Sequence, residues 1–448
     1  MTEQILVGVD CGTTSIKAVA VSLSGTVLAS ASRPTPWHHQ GPHSDIAPSL
    51  LAETAIAVCA EAAEGAADGR GRTTVAGIGA TGIAECGVLL DAQGQPCAPA
   101  LAWFDPRGDS AAIKAVVSRS EFQRATGRRL NSKPSIAKVM WLYQNIPGAR
   151  SAVRHLCVAE WVVHAMGGEQ VSEASLASRT GLLEITTRQP WEVAEELVGS
   201  LLPERRIWAG ESAGRSGPEV PNVLRGATLT VAGLDHQAAM IMLGAAREGA
   251  LLDSLGTAEA LTRTVPPVSA DEVERLTDQD IDVDWSVVPD HQIMLAGRVT
   301  GLTLERVAAM LGVTTREERR ALGEAALATS RDADAPRLID ITNDSVTLTN
   351  ITDGISPALV WRSVVEDLAH YAGASLDLMT QIAGPHSSSI LIGGWSRNPM
   401  VADVKRRQLG DYATSDLQEP GAMGAAFLAG VAAGLLERPA PDGLPAWQ

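Results

Sequence analysis

Cysteine is scarce. Cys11, Cys59, Cys86, Cys97 and Cys157 are the only five in 448 residues, and they form no C-x-x-C pair and no cluster with histidine. An odd, scattered set excludes a disulfide framework and reads as reduced thiols in a cytoplasmic protein. Phenylalanine and tyrosine are rarer, three each against ten tryptophans, so the tryptophans are expected to fill core or interface rather than form a sugar platform. Basic residues are outnumbered, 36 to 52, leaving a formal charge of -16. With no large basic surface, nucleic acid and an anionic membrane are excluded as expected partners. No apolar run approaches the roughly 18 residues of a membrane span. No basic-then-apolar leader precedes the first strand pattern.

What remains is ordinary for a folded protein: 45% hydrophobic and 20% charged residues. The length points to two sizeable domains, each able to bury its own core. Apolar runs at 5–10, 16–21 and 27–32, with a turn at Gly25, predict a β-meander. Helical spacing predicts helices over 49–64, 122–127, 135–145, 364–382, 400–409 and 419–434. Further strands are expected at 75–80, 87–90, 250–255, 260–265 and 389–392. Another begins at 231 and runs into Asp235, where a helix takes over through 243. The Pro-, Gly- and charge-rich segment 203–226 reads as irregular surface.

One pattern occurs twice. Residues 7–10, Gly12-Thr13 and 16–21 align with 252–255, Gly256-Thr257 and 259–264 as strand, Gly-Thr turn, strand. Two related lobes, each offering a turn to a shared cleft, would produce this repeat, and so would a chance hairpin.

Four motifs carry chemistry. Asp10-Cys11-Gly12-Thr13-Thr14 puts amides, hydroxyls and a carboxylate at one turn, the set that phosphates and a metal ion require. A plain hairpin turn is the competing reading. In Gly233-Leu234-Asp235-His236 a carboxylate stands where a strand yields to a helix, placed either to accept a proton from a hydroxyl or to cap the helix. Ser254-Leu255-Gly256-Thr257 is the second Gly-Thr turn, and Gly393-Gly394-Trp395-Ser396-Arg397-Asn398-Pro399 is a late glycine turn where a base and ribose would lie against bare backbone.

Their order, with Trp103-Phe104-Asp105-Pro106-Arg107, the small-residue stretch from Ala174 to Leu182, and the closing run Glu419-Pro420-Gly421-Ala422, resembles the FGGY family of carbohydrate kinases over about residues 5–434. The resemblance implies an α/β fold of two ribonuclease-H-like, actin-like ATPase lobes around a central cleft. Residues 1–245 would form the sugar-binding lobe and 246–448 the ATP-binding lobe. It implies ATP and Mg²⁺ as cofactors, Asp235 as catalytic base, and Asp10 with Asp235 at the metal. Gly12, Thr13, Thr14, Gly256 and Thr257 would hold phosphates, with Gly393, Gly394 and Asn398 at the adenosine. A homodimer is implied by family alone.

For the sugar, Glu85, Trp103, Asp105 and His236 are the expected contacts. Glu85 sits where glycerol kinases carry Glu and xylulokinases His, while Ala84 replaces the neighbouring Arg or Met of either pattern. His236 stands where xylulokinases have Asn and glycerol kinases Gln. A solvated Glu85, a core Trp103 and a first-turn helical His236 are the bland alternatives. A free carboxylate at Glu85 would repel acids, which favours a neutral ketose such as xylulose or ribulose, or a polyol. The competing functions are a non-catalytic sugar or nucleotide sensor on the same scaffold and a chaperone-type ATPase. The strand pattern from Ile5 leaves no room for a preceding DNA-binding helix pair, and the acidic pair Asp10 and Asp235 argues for turnover.

Overall fold

The computed structural model describes residues 3–68, 73–342, 345–441, 443–445 and 447. Two six-stranded sheets organise them. The first contains β1 (Glu3–Cys11), β2 (Ser15–Ser22), β3 (Val27–Pro34), β4 (Thr73–Gly82), β5 (Ser212–Arg215) and β6 (Thr228–Leu234). Its order is β5-β6-β4-β1-β2-β3. β1, β2 and β3 form the antiparallel meander, and β4 and β6 run parallel to β1.

The second sheet contains β7 (Ala250–Leu255), β8 (Glu259–Val265), β9 (Ile281–Trp285), β10 (Gln292–Arg298), β11 (Ser388–Ile392) and β12 (Ala413–Thr414), in the order β9-β10-β8-β7-β11-β12. The repeat in the sequence is a repeat in topology. β7 and β8 pair antiparallel around Gly256 as β1 and β2 do around Gly12. β7 runs parallel to β11 as β1 does to β4, and β8 pairs antiparallel with β10 as β2 does with β3.

Five helices matter for the cleft: α1 (Pro48–Ala67), α2 (Asp235–Met242), α3 (Pro357–Ala383), α4 (Pro399–Leu409) and α5 (Pro420–Ala432). Ile5, Leu6, Val7 and Val9 of β1 are buried on both faces, which is why the strand reads as a continuous apolar run. One face packs on α1 and the other on α5. The second contact is unusually close. A Cβ at Gly8 or Gly79 would overlap the carbonyl oxygens of Ala422 and Ala425, so only bare backbone lets the alanine-rich helix lie flat on the sheet. The helix that closes the first sheet thus comes from the far end of the sequence.

The apolar clusters also cross between halves. Phe122, Ile136 and Trp191 share a core with Leu261, Val283 and Met379. Segment 203–226 departs from the expectation of irregular surface. It holds short strands at Arg206–Ile207 and Ser212–Arg215 and a helical turn at Asn222–Leu224, and it buries Ile207, Ala213, Val220 and Leu224. Proline and glycine fix where a chain turns, not whether the residues between the turns face water. Among the described residues no helix is long and apolar enough to cross a membrane.

Candidate active site

A cavity of about 760 Å³ opens between the two sheets. Thr13, Glu85, Trp103, Asp235 and His236 line it from the first half, and Ala258, Gly297, Arg298 and Thr300 from the second. β1, β6 and β7 all end at this crevice, where the carboxyl ends of parallel strands meet ligands in open α/β sheets.

Asp235 is the first residue of α2. The cap position belongs to Leu234, which has no side-chain cap bond. Asp235 Oδ1 accepts from the His236 amide at 2.7 Å and lies 3.2 Å from His236 Nδ1. The carboxylate, 32% exposed, lines the cavity. The capping alternative therefore fails. The strand end before it is pinned: Thr81 Oγ1 donates to the Gly233 carbonyl at 2.6 Å, and the Leu234 amide donates to Ser175 Oγ at 3.0 Å. Ser175 lies in the small-residue stretch and donates in turn to Glu173 at 2.6 Å.

Asp10 is the penultimate residue of β1, opposite Lys17. Its Oδ1 is buried with no hydrogen-bond partner. Burial, then the like charges of Asp235 and Glu419, push its pKa up to about 7, with Lys17 giving partial relief. Lys17 is itself shared with Glu419 at 2.9 Å. Carboxylates converging on an orphaned oxygen are relieved by a divalent cation. No group of three or more His, Cys, Asp or Glu suited to a metal occurs among the described residues. Magnesium needs no such cage, since one or two carboxylates with substrate phosphates and waters complete its shell. The donor set fits that ion.

The first Gly-Thr turn is braced from outside. Trp37 Nε1 donates to the Thr13 carbonyl at 2.7 Å, Trp103 Nε1 to Thr13 Oγ1 at 2.9 Å, and Thr35 Oγ1 to the Gly12 carbonyl at 2.7 Å. Thr13 faces the cavity, and the exposed Thr14 lies beyond its wall. Under the second turn lies a buried ionic group. Lys405 of α4 meets Asp253 at 2.7 Å and also Glu259, and Thr300 Oγ1 donates to Glu259 at 2.6 Å. Gly256 and Thr257 edge the crevice through their neighbour Ala258. Gly393 has φ 102°, and a Cβ there would overlap the Leu255 carbonyl, so this third turn stacks on the second. Gly394 faces open space. Asn398 does not reach the cleft. Its Oδ1 accepts from the Met400 and Val401 amides and from Trp361 Nε1, and its Nδ2 donates to the Arg319 carbonyl, so the side chain is used up as the cap of α4.

Three of the four expected sugar contacts line the cavity, and Asp105 does not. It is 1% exposed, and its carboxylate accepts from the Ser44 amide and from the Arg107 amide, Nε and Nη2. Spacing explains this, because Arg107 two residues on folds its fork back onto the acid and locks the loop that carries Trp103.

Glu85 is neither free nor solvated. Its backbone takes φ 52°, and its Oε1 accepts from Arg128 Nη2 at 2.9 Å and from Arg179 Nε and Nη2 at 3.0 and 2.6 Å. The same arginines hold Asp284 at 3.2 and 2.9 Å, and Arg128 holds Asp282 at 3.1 Å. The network joins the edge strand β9 of the second sheet to the first half. With Glu85 neutralised, the charge argument for a neutral ketose or polyol loses its ground. Arg128, Arg179, Asp282 and Asp284 were not singled out from sequence. The available signal was acid-x-acid alternation on a buried strand, which demands partners from elsewhere.

Comparison with known proteins places this geometry. The model of the N-terminal domain of the FGGY family of carbohydrate kinases matches residues 5–202. Glycerol kinases of Chromobacterium violaceum and Paraburkholderia phymatum are each 27% identical, over 97% of this chain and 90% of theirs. The xylulose kinase structure from Rhodospirillum rubrum superposes with a TM-score of 0.85 at 22% identity, covering 96% of this chain and 91% of that one. The Plasmodium falciparum glycerol kinase with ADP gives 0.85 at 17% identity, covering 98% and 91%. The fold is the ribonuclease-H-like, actin-like pair of lobes around a cleft. With Thr13, Asp235 and Ala258 lining that cleft, residues 5–202 match the N-terminal domain of the FGGY family of carbohydrate kinases, and the whole chain is similar to kinases of sugars and polyols.

Proposed function

We propose that this protein transfers the γ-phosphoryl group of ATP to a hydroxyl of a small sugar or polyol, with Asp235 as general base. One observation carries the reading: a carboxylate freed from capping shares a cavity with Thr13 and with Ala258, the residue that follows the second Gly-Thr turn.

In this reading residues 1–245 hold the acceptor and 246–448 the nucleotide. The acceptor hydroxyl lies against Asp235, whose carboxylate takes the proton as the new O–P bond forms and the bond to the ADP oxygen breaks. Thr13 and Thr257 donate to phosphoryl oxygens, while the Gly12 and Gly256 amides close their own turns on the Ser15 and Ala258 carbonyls. Gly393 and Gly394 leave bare backbone for the base and ribose. Trp103 orients the Thr13 hydroxyl by donating to its oxygen, which leaves the hydroxyl hydrogen for phosphate. Asp10, with Asp235 nearby, would hold magnesium, and the bound ion would neutralise phosphate charge. The lobes close over the acceptor and exclude water, which limits wasteful ATP hydrolysis.

The test is ADP formation with ATP, Mg²⁺ and a panel of ketoses, polyols and sugar acids. Acceptor-dependent ADP is expected, and Asp235→Asn should remove about 10²–10⁴-fold of kcat, the usual worth of general-base help. ADP release indifferent to every acceptor, or unchanged in that variant, would overturn the proposal.

A further inference from the structure

Beside the main cavity lies an alcove of about 70 Å³ that neither Thr13 nor Asp235 lines. Its charged walls are Arg128, Arg129, Lys133 and Arg179 against Glu85 and Asp282. Two of the cations are already committed, since Arg128 and Arg179 are bound to Glu85 and Asp284. The other two are less so. Arg129 meets the exposed Asp280 at 2.6 Å through Nη1, but its Nε is buried with no partner. Arg128, 4% exposed, also leaves its Nε unpartnered. No ion pair of Lys133 occurs among the described residues, and its ammonium rests over the Trp103 ring at 5.5 Å. The buried orphans here are thus two N–H donors and one acceptor, Asp282 Oδ1, which lies 3.9 Å from Arg129 Nε.

A hydroxyl brings a donor with its acceptor, whereas a carboxylate brings acceptors only. Donor-rich walls with guanidinium forks and a spare ammonium match the second. We propose that this alcove binds the carboxylate of an acyclic sugar acid, with the hydroxyl to be phosphorylated at the opposite end of the carbon chain beside Asp235. This deepens the kinase reading and rests on it. The alcove is continuous with the main cavity, since Trp103, Arg129, Lys133 and Arg179 line both, so one carbon chain can reach from it toward Asp235 while Trp103 Nε1 holds Thr13.

The experiment compares matched pairs differing only at one terminus, gluconate against glucitol and xylonate against xylitol, by kcat/KM for ADP release and by calorimetric binding. The acids are expected to be preferred at least tenfold. Lys133→Met should shrink the acid-to-polyol ratio by a similar factor, mainly through KM, and Lys133→Arg should restore most of it. Preference for the neutral partner, or a ratio unmoved by Lys133→Met, overturns the acid proposal and leaves the kinase standing. Selective binding of acids with no ADP from any compound overturns the kinase and leaves the alcove. No binding of either class overturns both.

Discussion

The two Gly-Thr turns share a hairpin and differ in what they do with charge. Counted back from the two turn glycines, Ser254 stands where Asp10 stands, so the second turn brings no carboxylate to the crevice. Its charges lie beneath it, where Asp253 and Glu259 share Lys405, all under 5% exposed. Asp253 is pushed up to about 7 by burial and by Glu259, to the same degree as Asp10. A perturbed carboxyl is therefore no mark of the reacting end by itself. Access and partners separate the two. Both carry a buried oxygen with no hydrogen-bond partner, but Asp10 lies beside the open Asp235, whereas Asp253 is ion-paired to Lys405 and has no opening. One turn is equipped for a ligand still to come, and the other is held by ions already in place.

The comparison breaks most visibly at the catalytic edge. Asp10→Asn should cost kcat at least about 10²-fold, the scale of a lost charge-stabilising group at a reacting centre, with the fold intact by circular dichroism. Next, Lys405→Met strands two buried acids and should cost about 3–5 kcal/mol in urea unfolding. The double variant with Glu259→Gln should regain part of that loss. An equal loss in both would mean that the ionic group is not the support of the turn.

A smaller effect sharpens the contrast through pH. Asp10 ionises near 7 in the folded chain and near 3.8 when unfolded, so its charge is carried at a cost above pH 7. That cost fades as pH falls from 7 toward 3.8. Without magnesium, Asp10→Asn should raise the melting temperature at pH 8 and leave it unchanged near pH 4. Added Mg²⁺ should stabilise the parent protein and not the variant. The smallest effect is at Trp103→Phe, which keeps the ring and removes the N–H on Thr13. A loss of about 0.5–1.5 kcal/mol in kcat/KM for ATP is expected from one neutral hydrogen bond.

Local elements and the order of motifs were legible in the sequence. The helix 135–145 and the strands at 87–90 and 250–255 fall as read, because their patterns end at Pro, Gly or charge. The cavity's Thr13, Trp103 and Asp235 were also found, each on a turn whose chemistry is local. What was not legible depended on distant partners. Glu85 reads as a free acid until Arg179, 94 residues away, is seen to hold it. Asp105 reads as a sugar contact until Arg107 folds back on it, and Asn398 as a nucleotide contact until three donors claim its oxygen. A side chain's type gives its appetite for partners, and only the fold says who satisfies it.

The fit of α5 onto Gly8 and Gly79 also bears on how this molecule comes into being. Strand β1 leaves the ribosome long before α5, yet the cover for one of its faces is not made until residues 420–432 have emerged. Through nearly the whole of synthesis that apolar face waits open, a window in which chaperone capture or aggregation competes with folding. Removal of α5 would leave that face of β1 permanently uncovered.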